Sequence, residues 1–152
     1  MALSADLKNH EMASSFGQEH AILAKDSTQF YKGGLVAVDL DDGKLAKAAA
    51  GDLTLVVVGR CSENVLTGTS NTRKVKFRSG IFNYASGATF EAITAAHVGQ
   101  PCYVVTDESV GISGATGANS LAGRVYDYDA NGVWVGIHFP LPQLAPVGPT
   151  GA

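Results

Sequence analysis

The chain has 152 residues, of which 45% are apolar and 16% charged, with 18 glycines and a formal net charge of −3. This length favours one domain that buries its own core, and the small acidic charge gives no basic excess of the kind that indicates nucleic-acid binding. No apolar run approaches the roughly 18 residues of a membrane span, and the N-terminus lacks the basic and apolar sections of a secretory signal. We therefore expect a turn-rich globular protein made in the cytosol and used there, or in a particle assembled there.

Residues 1–17 differ from the rest of the chain because their apolar residues show no strand alternation. A short helix, an extended arm and a disordered tail all fit this composition. An arm of this kind has few ways to stabilise itself, so we expect an ordered one to lie on another molecule. The apolar residues spaced along it are Leu3, Leu7, Met12 and Phe16.

After this segment, short apolar runs alternate with turns that contain glycine, aspartate or asparagine. The most apolar stretch, Leu53–Cys61, predicts a central strand. In Lys74–Arg78, basic residues alternate with apolar ones, which predicts a strand with one apolar face. Thr94–Val98 predicts a single helical turn. The other predicted strands are 21–24, 35–40, 44–49, 81–85, 102–105 and 110–112.

Strong turns recur between these short strands, and no long helical pattern is present. That combination predicts an all-β fold, an antiparallel barrel or sandwich with at most one or two short helical turns. Residues 140–152 contain four of the five prolines and predict an extended tail. We expect an N-terminal arm at 1–17, a β-domain at 18–139 and a Pro-rich tail at 140–152.

A hairpin signal at Leu121–Phe139 coincides with part of a calcium-loop pattern. Asn131-Gly132 can take the positive φ angles that a tight hairpin turn requires. The run from Asp127 to Gly132 also matches the opening of an EF-hand loop, but the twelfth position is His138 rather than glutamate. We therefore expect a turn capped by Asx hydrogen bonds here and at the acidic segment 39–43, with no metal or other cofactor.

The same hairpin predicts how its side chains are divided between the two faces. On the first strand, alternation places Tyr126 and Tyr128 opposite the face of Val125. On the second strand, Val133, Val135 and Ile137 share a face that we expect to point inward. Trp134 lies on the other face, where it suits a subunit interface; an exposed or self-packed tryptophan is the alternative.

The remaining reactive side chains form no catalytic constellation. Cys61 and Cys102 lie in or beside apolar strands, so we expect buried reduced thiols, with a disulfide or a catalytic thiol as alternatives. No histidine pair has metal-ligand spacing, and no nucleophile elbow or phosphate loop is present. The basic residues of 73–78 predict a solvated strand face, with an anion site or a contact to an acidic protein surface as alternatives. We expect a protein that is not an enzyme.

The succession GGLVAVD, GKLAKAAAGDLTLVVVGR, NTRKVKFRSGIFNYA, ITAAHVGQPCYVVTDESV and LAGRVYDYDANGVWVGI resembles the capsid cement, or head decoration, proteins of tailed phages. The resemblance covers about residues 18–138. It includes the S-G-x-F segment at Ser79–Phe82 and the A-G-x-V…D-A-N-G-V-W-V ending at Ala122–Val135. It depends on order and spacing rather than on a chemical motif, and residues 1–17 and 139–152 depart from the core pattern.

The resemblance implies a compact β-barrel, or β-tulip-like fold, on the outer surface of a phage head. Such a protein binds the major capsid protein, ties neighbouring capsomers together against internal DNA pressure and forms small oligomers; we favour a homotrimer over a dimer. It binds neither nucleic acid nor membrane, and it is made in the host cytoplasm. The candidate capsid-binding residues are Leu3, Leu7, Met12, Phe16, Lys74, Lys76 and Arg78, and the candidate oligomer contacts are Tyr126, Tyr128 and Trp134.

Two other classes of function are kept open. The chain could be a β-barrel module of a phage tail or receptor-binding fibre, which would bind a host glycan or protein through the loops at 64–71 and 106–120. It could also be a hydrolase or metal enzyme, against which the missing constellation argues. Copy number separates the first two: hundreds per virion for a cement protein, but a few or tens for a fibre.

Overall fold

A computed structural model describes residues 5, 11–13, 19–87, 92–112 and 120–138 of the chain. This part is built of strands and one 3-10 turn at Ala95–His97, which confirms the all-β prediction. Nothing helical in these residues has the length and apolarity needed to cross a membrane. The strands are β1 (Glu11–Ala13), β2 (Glu19–Leu23), β3 (Gln29–Phe30), β4 (Leu35–Asp39), β5 (Lys44–Lys47), β6 (Leu55–Cys61), β7 (Val65–Leu66), β8 (Lys74–Arg78), β9 (Gly80–Ser86), β10 (Pro101–Thr106), β11 (Ser109–Gly111), β12 (Leu121–Asp129) and β13 (Gly132–Ile137).

Five strands close into a barrel. They run in the order β9-β11-β10-β12-β13, and β13 pairs back onto β9 to complete the ring. All of these pairings are antiparallel except that of β11 with β9, which is parallel. The barrel prediction is therefore confirmed, with one parallel pair that the sequence pattern did not indicate.

A second sheet has the order β2-β8-β6-β4-β5. Its two outer strands approach each other where Ala24, just after β2, forms an isolated bridge with Leu45 of β5. Lys25 extends this contact by donating its backbone N–H to the carbonyl oxygen of Leu45 at 2.9 Å. A separate two-stranded sheet joins β3 to β7, and β7 lies inside residues 64–71, which the sequence indicated as a loop.

The two sheets are joined through β4 and β6, which are buried on both faces. In β4, Leu35 belongs to a core cluster shared with the barrel, and its neighbour Val36 belongs to the cluster inside the second sheet. In β6, Val57 likewise belongs to the cluster shared with the barrel, and Val58 belongs to the cluster inside the second sheet. Strands buried on both faces have no need of polar residues at alternate positions, which accounts for the near-continuous apolar runs LVAV and LVVV.

The barrel and the second sheet are also linked by a buried hydrogen bond. The hydroxyl of Tyr84 in β9 donates to the backbone carbonyl oxygen of Gly33 at 3.0 Å. Tyr84 is 2% exposed, so this bond satisfies a polar group that would otherwise be costly to bury.

The predicted helical turn is present at Ala95–His97. The Thr94 side chain accepts from the backbone N–H of Ala96, and the His97 ring accepts at Nδ1 from the backbone N–H of Thr94 at 2.9 Å. This reciprocal capping satisfies backbone donors that so short a turn cannot satisfy internally.

The N-terminal segment differs from the expectation at one place. Glu11–Ala13 forms β1 and pairs antiparallel with β9 of the same chain, with Glu11 opposite Phe82 and Ala13 opposite Ile81. For these three residues, the expectation that an ordered arm lies on another molecule is wrong, because the free edge of β9 accepts them. Leu3, Leu7, Phe16 and the predicted tail at 140–152 lie outside the described residues.

Candidate functional site

The strand that carries the two candidate tyrosines contains a β-bulge. Val125 lies opposite Val135, but Asp127 lies opposite Trp134, so β12 has one extra residue at Tyr126. Because directly opposed residues share a face of the sheet, Asp127 shares a face with Trp134. The predicted alternation along β12 is therefore wrong beyond Val125: the inserted residue exchanges the faces of the residues that follow it.

Tyr126 and Tyr128 are nevertheless both accessible, as a binding surface requires. Tyr126 is 54% exposed and Tyr128 is 38% exposed. Tyr128 lies opposite Val133, on the core side at the end of the barrel, and does not share the face of Trp134. The two rings therefore form no single stripe along the strand, and only Tyr126, at the bulge, is more than half exposed.

Trp134 offers almost no surface to a neighbour. It is 5% exposed, and its indole Nε1 donates to Asp129 Oδ2 at 2.9 Å. Trp134 lies on the face opposite the core valines, as predicted, but its burial leaves almost no surface for an oligomer contact in the single chain, and the self-packed alternative describes its position. Val133, Val135 and Ile137 are buried in the shared core cluster, as the alternation predicted.

The acidic turn between β12 and β13 is fixed by hydrogen bonds. Asp129 Oδ1 accepts from the backbone N–H of Asn131 at 2.8 Å, which confirms the Asx turn. Gly132 has a φ of +122°, whereas Asn131 does not take a positive φ as the sequence suggested. Within the described ranges, no three or more His, Cys, Asp or Glu side chains are grouped so that they could hold a metal ion.

Lys74, Lys76 and Arg78, which we call the basic row, lie on one face of β8. Lys74 and Lys76 are exposed and Arg78 is half-buried, while the alternate residues Val75 and Phe77 are fully buried. Arg60 of β6 lies directly opposite Arg78 and extends the row across the sheet. The predicted alternation of this strand is therefore confirmed, and Lys74 and Lys76 form a solvated strand face.

A lysine between two carboxylates organises the turn from β4 to β5. Lys25 Nζ lies 2.9 Å from Asp39 Oδ2 and 2.9 Å from Asp42 Oδ2. These two hydrogen-bonded carboxylates raise the pKa of Lys25 above its ordinary value. The pKa of Asp39 is lowered by the backbone N–H of Asp41 and by Lys25, and that of Asp42 by Lys25 and the backbone N–H of Lys44. The predicted Asx turn is confirmed here as well.

The same turn presents an exposed apolar pair that the sequence analysis missed. Leu40 is 65% exposed and Leu53 is 62% exposed. The backbone N–H of Leu40 donates to the carbonyl oxygen of Thr54 at 2.9 Å, which brings the two leucine-bearing turns side by side. We call Leu40 and Leu53 with their turns the leucine tip. Its sequence signal is a leucine inside an aspartate-rich turn, in DLDDG and again in GDLT, where a polar residue is the usual choice.

A cavity of about 210 Å³ lies near the other end of β5. The Lys47 ammonium reaches the buried Asp107 carboxylate at 3.8 Å and lies 5.7 Å from the centre of the Tyr31 ring. Drug-sized ligands need cavities of roughly 300 Å³ or more, so this one has room for a side chain or a small molecule. Its lining residues are Lys47, Ala48, Ala49, Ala50, Val105, Thr106 and Asp107.

Both cysteines are free and buried, as expected. The Cys61 thiol donates to the carbonyl oxygen of Glu63 at 3.1 Å. Burial raises the pKa of the Cys102 thiol to about 12, so it stays protonated at neutral pH. Because the thiolate is the nucleophilic form, Cys102 is unsuited to catalysis.

The described surface thus presents the basic row, the leucine tip and the exposed Tyr126. Of these residue types, tyrosine and arginine are enriched at protein–protein interfaces, whereas lysine is depleted there. Comparison with protein-family models, with curated proteins and with solved structures finds no match for this chain.

Proposed function

We propose that this protein is a structural component of a phage head, which binds the outer surface of the major capsid protein lattice and bridges capsomers. The ordered resemblance over residues 18–138 supports the proposal, as does the closed barrel that it implied. The structural observation that carries it furthest is that one folded unit presents separate exposed surfaces, the basic row on the second sheet and Tyr126 on the barrel. A protein that bridges two neighbours needs at least two such surfaces, and they must keep a fixed separation.

Turns with a fixed backbone favour this role. Side-chain hydrogen bonds hold the turn from β4 to β5, the turn before β6 and the turn from β12 to β13, so a contact that uses them orders few new groups and loses little conformational entropy. Each contact can then be weak. Many copies on a regular lattice gain strength because the second contact of a bound copy forms at high effective concentration.

In this proposal, the basic row contacts an acidic surface of the major capsid protein. Lys74 and Lys76 are exposed, so they steer association more than they add to affinity. The apolar residues of the first 17 positions that lie outside β1 fill pockets on a capsid subunit or on the next copy. Tyr126 and Tyr128 contact a neighbouring copy in a homotrimer, which we favour over a dimer. The protein is then located on the outside of the head after synthesis in the host cytoplasm.

Quantitative mass spectrometry of purified particles tests the proposal. We expect hundreds of copies per virion, in a fixed ratio to the major head subunit. A few or tens of copies would instead support a module of a tail or receptor-binding fibre, and absence from particles would reject a structural role altogether.

The role of the basic row is tested by sedimenting the purified protein with heads that lack it. We expect K74E/K76E to weaken head binding about tenfold, with most of the loss in the rate of association and in its salt dependence. The matched control K32E/R124E makes the same charge change at exposed residues outside β8 and should bind as the unaltered chain does. Equal losses in both double variants would contradict a role for this surface.

The role of the N-terminal segment is tested by deleting residues 1–17. We expect the truncated chain to fold, because the ring of β9, β10, β11, β12 and β13 does not include β1. Head binding should be abolished. Unchanged sedimentation with heads would reject the contribution of Leu3, Leu7 and Phe16.

A further inference from the structure

The cavity lies at the end of the barrel from which the C-terminal residues leave. β10 and β13 are both antiparallel to β12, so they run in the same direction and finish at the same end of the ring. β10 finishes at Thr106, and the cavity is lined by Val105, Thr106 and Asp107. β13 finishes at Ile137. The Pro-rich tail, residues 140–152, therefore follows a strand that points toward the cavity.

The strand register gives the distance that the tail must cover. Arg124 of β12 lies opposite both Pro101 of β10 and Gly136 of β13. Gly136 is therefore two strand spacings, about 10 Å, from Pro101, and Val105 lies about 13 Å further along β10. The direct distance from Gly136 to Val105 is then about 16 Å. An extended Pro-rich segment advances about 3.1 Å per residue, so Leu144 can lie up to about 25 Å from Gly136 and reaches the cavity with length to spare.

Other apolar segments are less suited to this cavity. Leu141 follows Gly136 by too few residues, because its extended reach of about 16 Å only equals the direct distance. β1 is antiparallel to β9, as β13 is, so residues 1–10 precede a strand that begins at the opposite end of the barrel. The segment 113–119 contains no apolar side chain larger than alanine.

We propose that the Pro-rich tail folds back over this end of the barrel and that Leu144 occupies the cavity of its own chain. The volume of about 210 Å³ and the walls formed by Ala49, Ala50 and Val105 suit one aliphatic side chain. Ala49 and Ala50 are exposed, so the contact removes apolar surface from water. Residues 139–152 include no charged side chain, so the contact desolvates no charge of the tail.

The rim of the cavity also suits an extended backbone. A polyproline II segment makes no internal hydrogen bonds, so its carbonyl oxygens need outside donors. The Lys47 ammonium has three N–H donors, and its ion pair with Asp107 at 3.8 Å does not use all of them. The Tyr31 ring, 5.7 Å from this ammonium, adds an aromatic face of the kind on which Pro-rich segments dock. Recognition thus rests on apolar burial and backbone hydrogen bonds rather than on net charge.

The short tether makes a weak contact sufficient. Because the tail is part of the chain that carries the cavity, its effective concentration there is in the millimolar range. The contact involves one chain only, so it is compatible with a homotrimer and is tested without heads. Its failure would leave the head-binding proposal intact.

NMR spectroscopy of the full chain, with labelled alanine and leucine methyl groups, is the measurement. We expect nuclear Overhauser effects between the methyl groups of Leu144 and those of Ala49 and Ala50. A second sample contains copies labelled only on alanine and copies labelled only on leucine, unfolded in urea and refolded together. It should show no such effects between copies, because the tail and the cavity belong to the same chain.

Two pairs of variants test the two halves of the contact, with circular dichroism to check that each is folded. L144S should abolish these effects and shift the signals of the cavity residues, whereas L141S, the same change in the same tail, should preserve them. A50F fills the cavity and should give Leu144 the narrow signals of an unbound tail. A21F is its control, because Ala21 is an exposed alanine on β2, away from the cavity.

The proposal makes both the residue and the chain decisive. Absence of any effect between Leu144 and the cavity in the unaltered chain would overturn it. So would equal responses to L144S and L141S, or a tail that stays bound in A50F. Effects that join differently labelled copies would also overturn it, since they would assign the cavity to the tail of a neighbouring copy.

Discussion

At the scale of single residues, glycines and polar side chains fix the ends of the strands. Gly132 begins β13 with a φ of +122°, a conformation that is almost restricted to glycine. A Cβ atom at this position would lie 2.7 Å from the carbonyl oxygen of Tyr84 in β9. Gly132 therefore allows the closing hairpin to pass close to the neighbouring strand, which is where the barrel ring closes.

We predict that G132A destabilises the protein by about 1–3 kcal/mol, because alanine adds both backbone strain and a close contact. G136A is the matched control in the same strand. Its Cβ would meet no atom closer than 3.9 Å, so its effect should be small. Urea unfolding of both variants measures the difference, and equal losses of stability would contradict this explanation.

The buried thiols give a second prediction at this scale. At pH 8, neither Cys61 nor Cys102 of the native chain should react with an aromatic disulfide reagent, whereas both should react once urea unfolds the chain. Because the pKa of Cys102 rises from 9.0 to about 12 on folding, only the unfolded state loses this proton between those values. Stability should therefore fall as pH rises above about 9. Rapid labelling of the native chain would contradict the assigned burial.

At the scale of elements, regular alternation was predictable and its interruption was not. The faces of Lys74–Arg78 and of the strand that contains Val133 follow directly from their sequences. The bulge at Tyr126 does not, because an inserted residue is defined by the hydrogen bonds of the partner strand, which a single strand's sequence does not contain. β3 and β7 were missed for a similar reason, since two-residue strands are too short to show a period.

The Lys25 cluster gives a prediction at this scale. The lowered pKa values of Asp39 and Asp42 mean that their contribution to stability is present above about pH 4 and is lost as acid protonates them in the folded state. In K25M, the free energy of unfolding should fall less steeply between pH 4 and pH 2 than in the unaltered chain. K44M is the control, because Lys44 reaches Asp42 through its backbone N–H, which the change keeps. Identical acid profiles in all three chains would contradict the role of Lys25.

At the scale of the whole molecule, β4 and β6 form a wall that belongs to two cores. Leu35 contributes to the core shared with the barrel, and Cys61 contributes to the core of the second sheet. Neither core can lose this wall and keep its packing. The two sheets should therefore unfold as one cooperative unit.

We predict that L35A lowers the free energy of unfolding by about 2–5 kcal/mol. The urea midpoints of the barrel and of the second sheet should fall by the same amount. In a Cys102→Ala background, Trp134 fluorescence reports the barrel and Cys61 reactivity reports the second sheet. The two urea transitions should coincide before and after the change. Separate midpoints would show that the sheets are independent domains.

The limits of sequence reasoning were greatest for the candidate surfaces. The basic row lies on one strand and could be identified from its alternation. The leucine tip joins residues on two turns, and the cavity joins the end of β5 to the end of β10. Such surfaces depend on which strands become neighbours, and that order is set by packing rather than by any local pattern.

The joined ends of both sheets have a consequence for solubility. Open strand edges act as templates on which other chains add strands and aggregate. Here the barrel ring is closed, β1 pairs along part of the outer side of β9, and the Ala24–Leu45 bridge brings the ends of the second sheet together. Within the described residues, the closed ring therefore offers a stray strand fewer backbone groups than an open sheet of the same five strands would, which lowers the tendency of the barrel to recruit other chains.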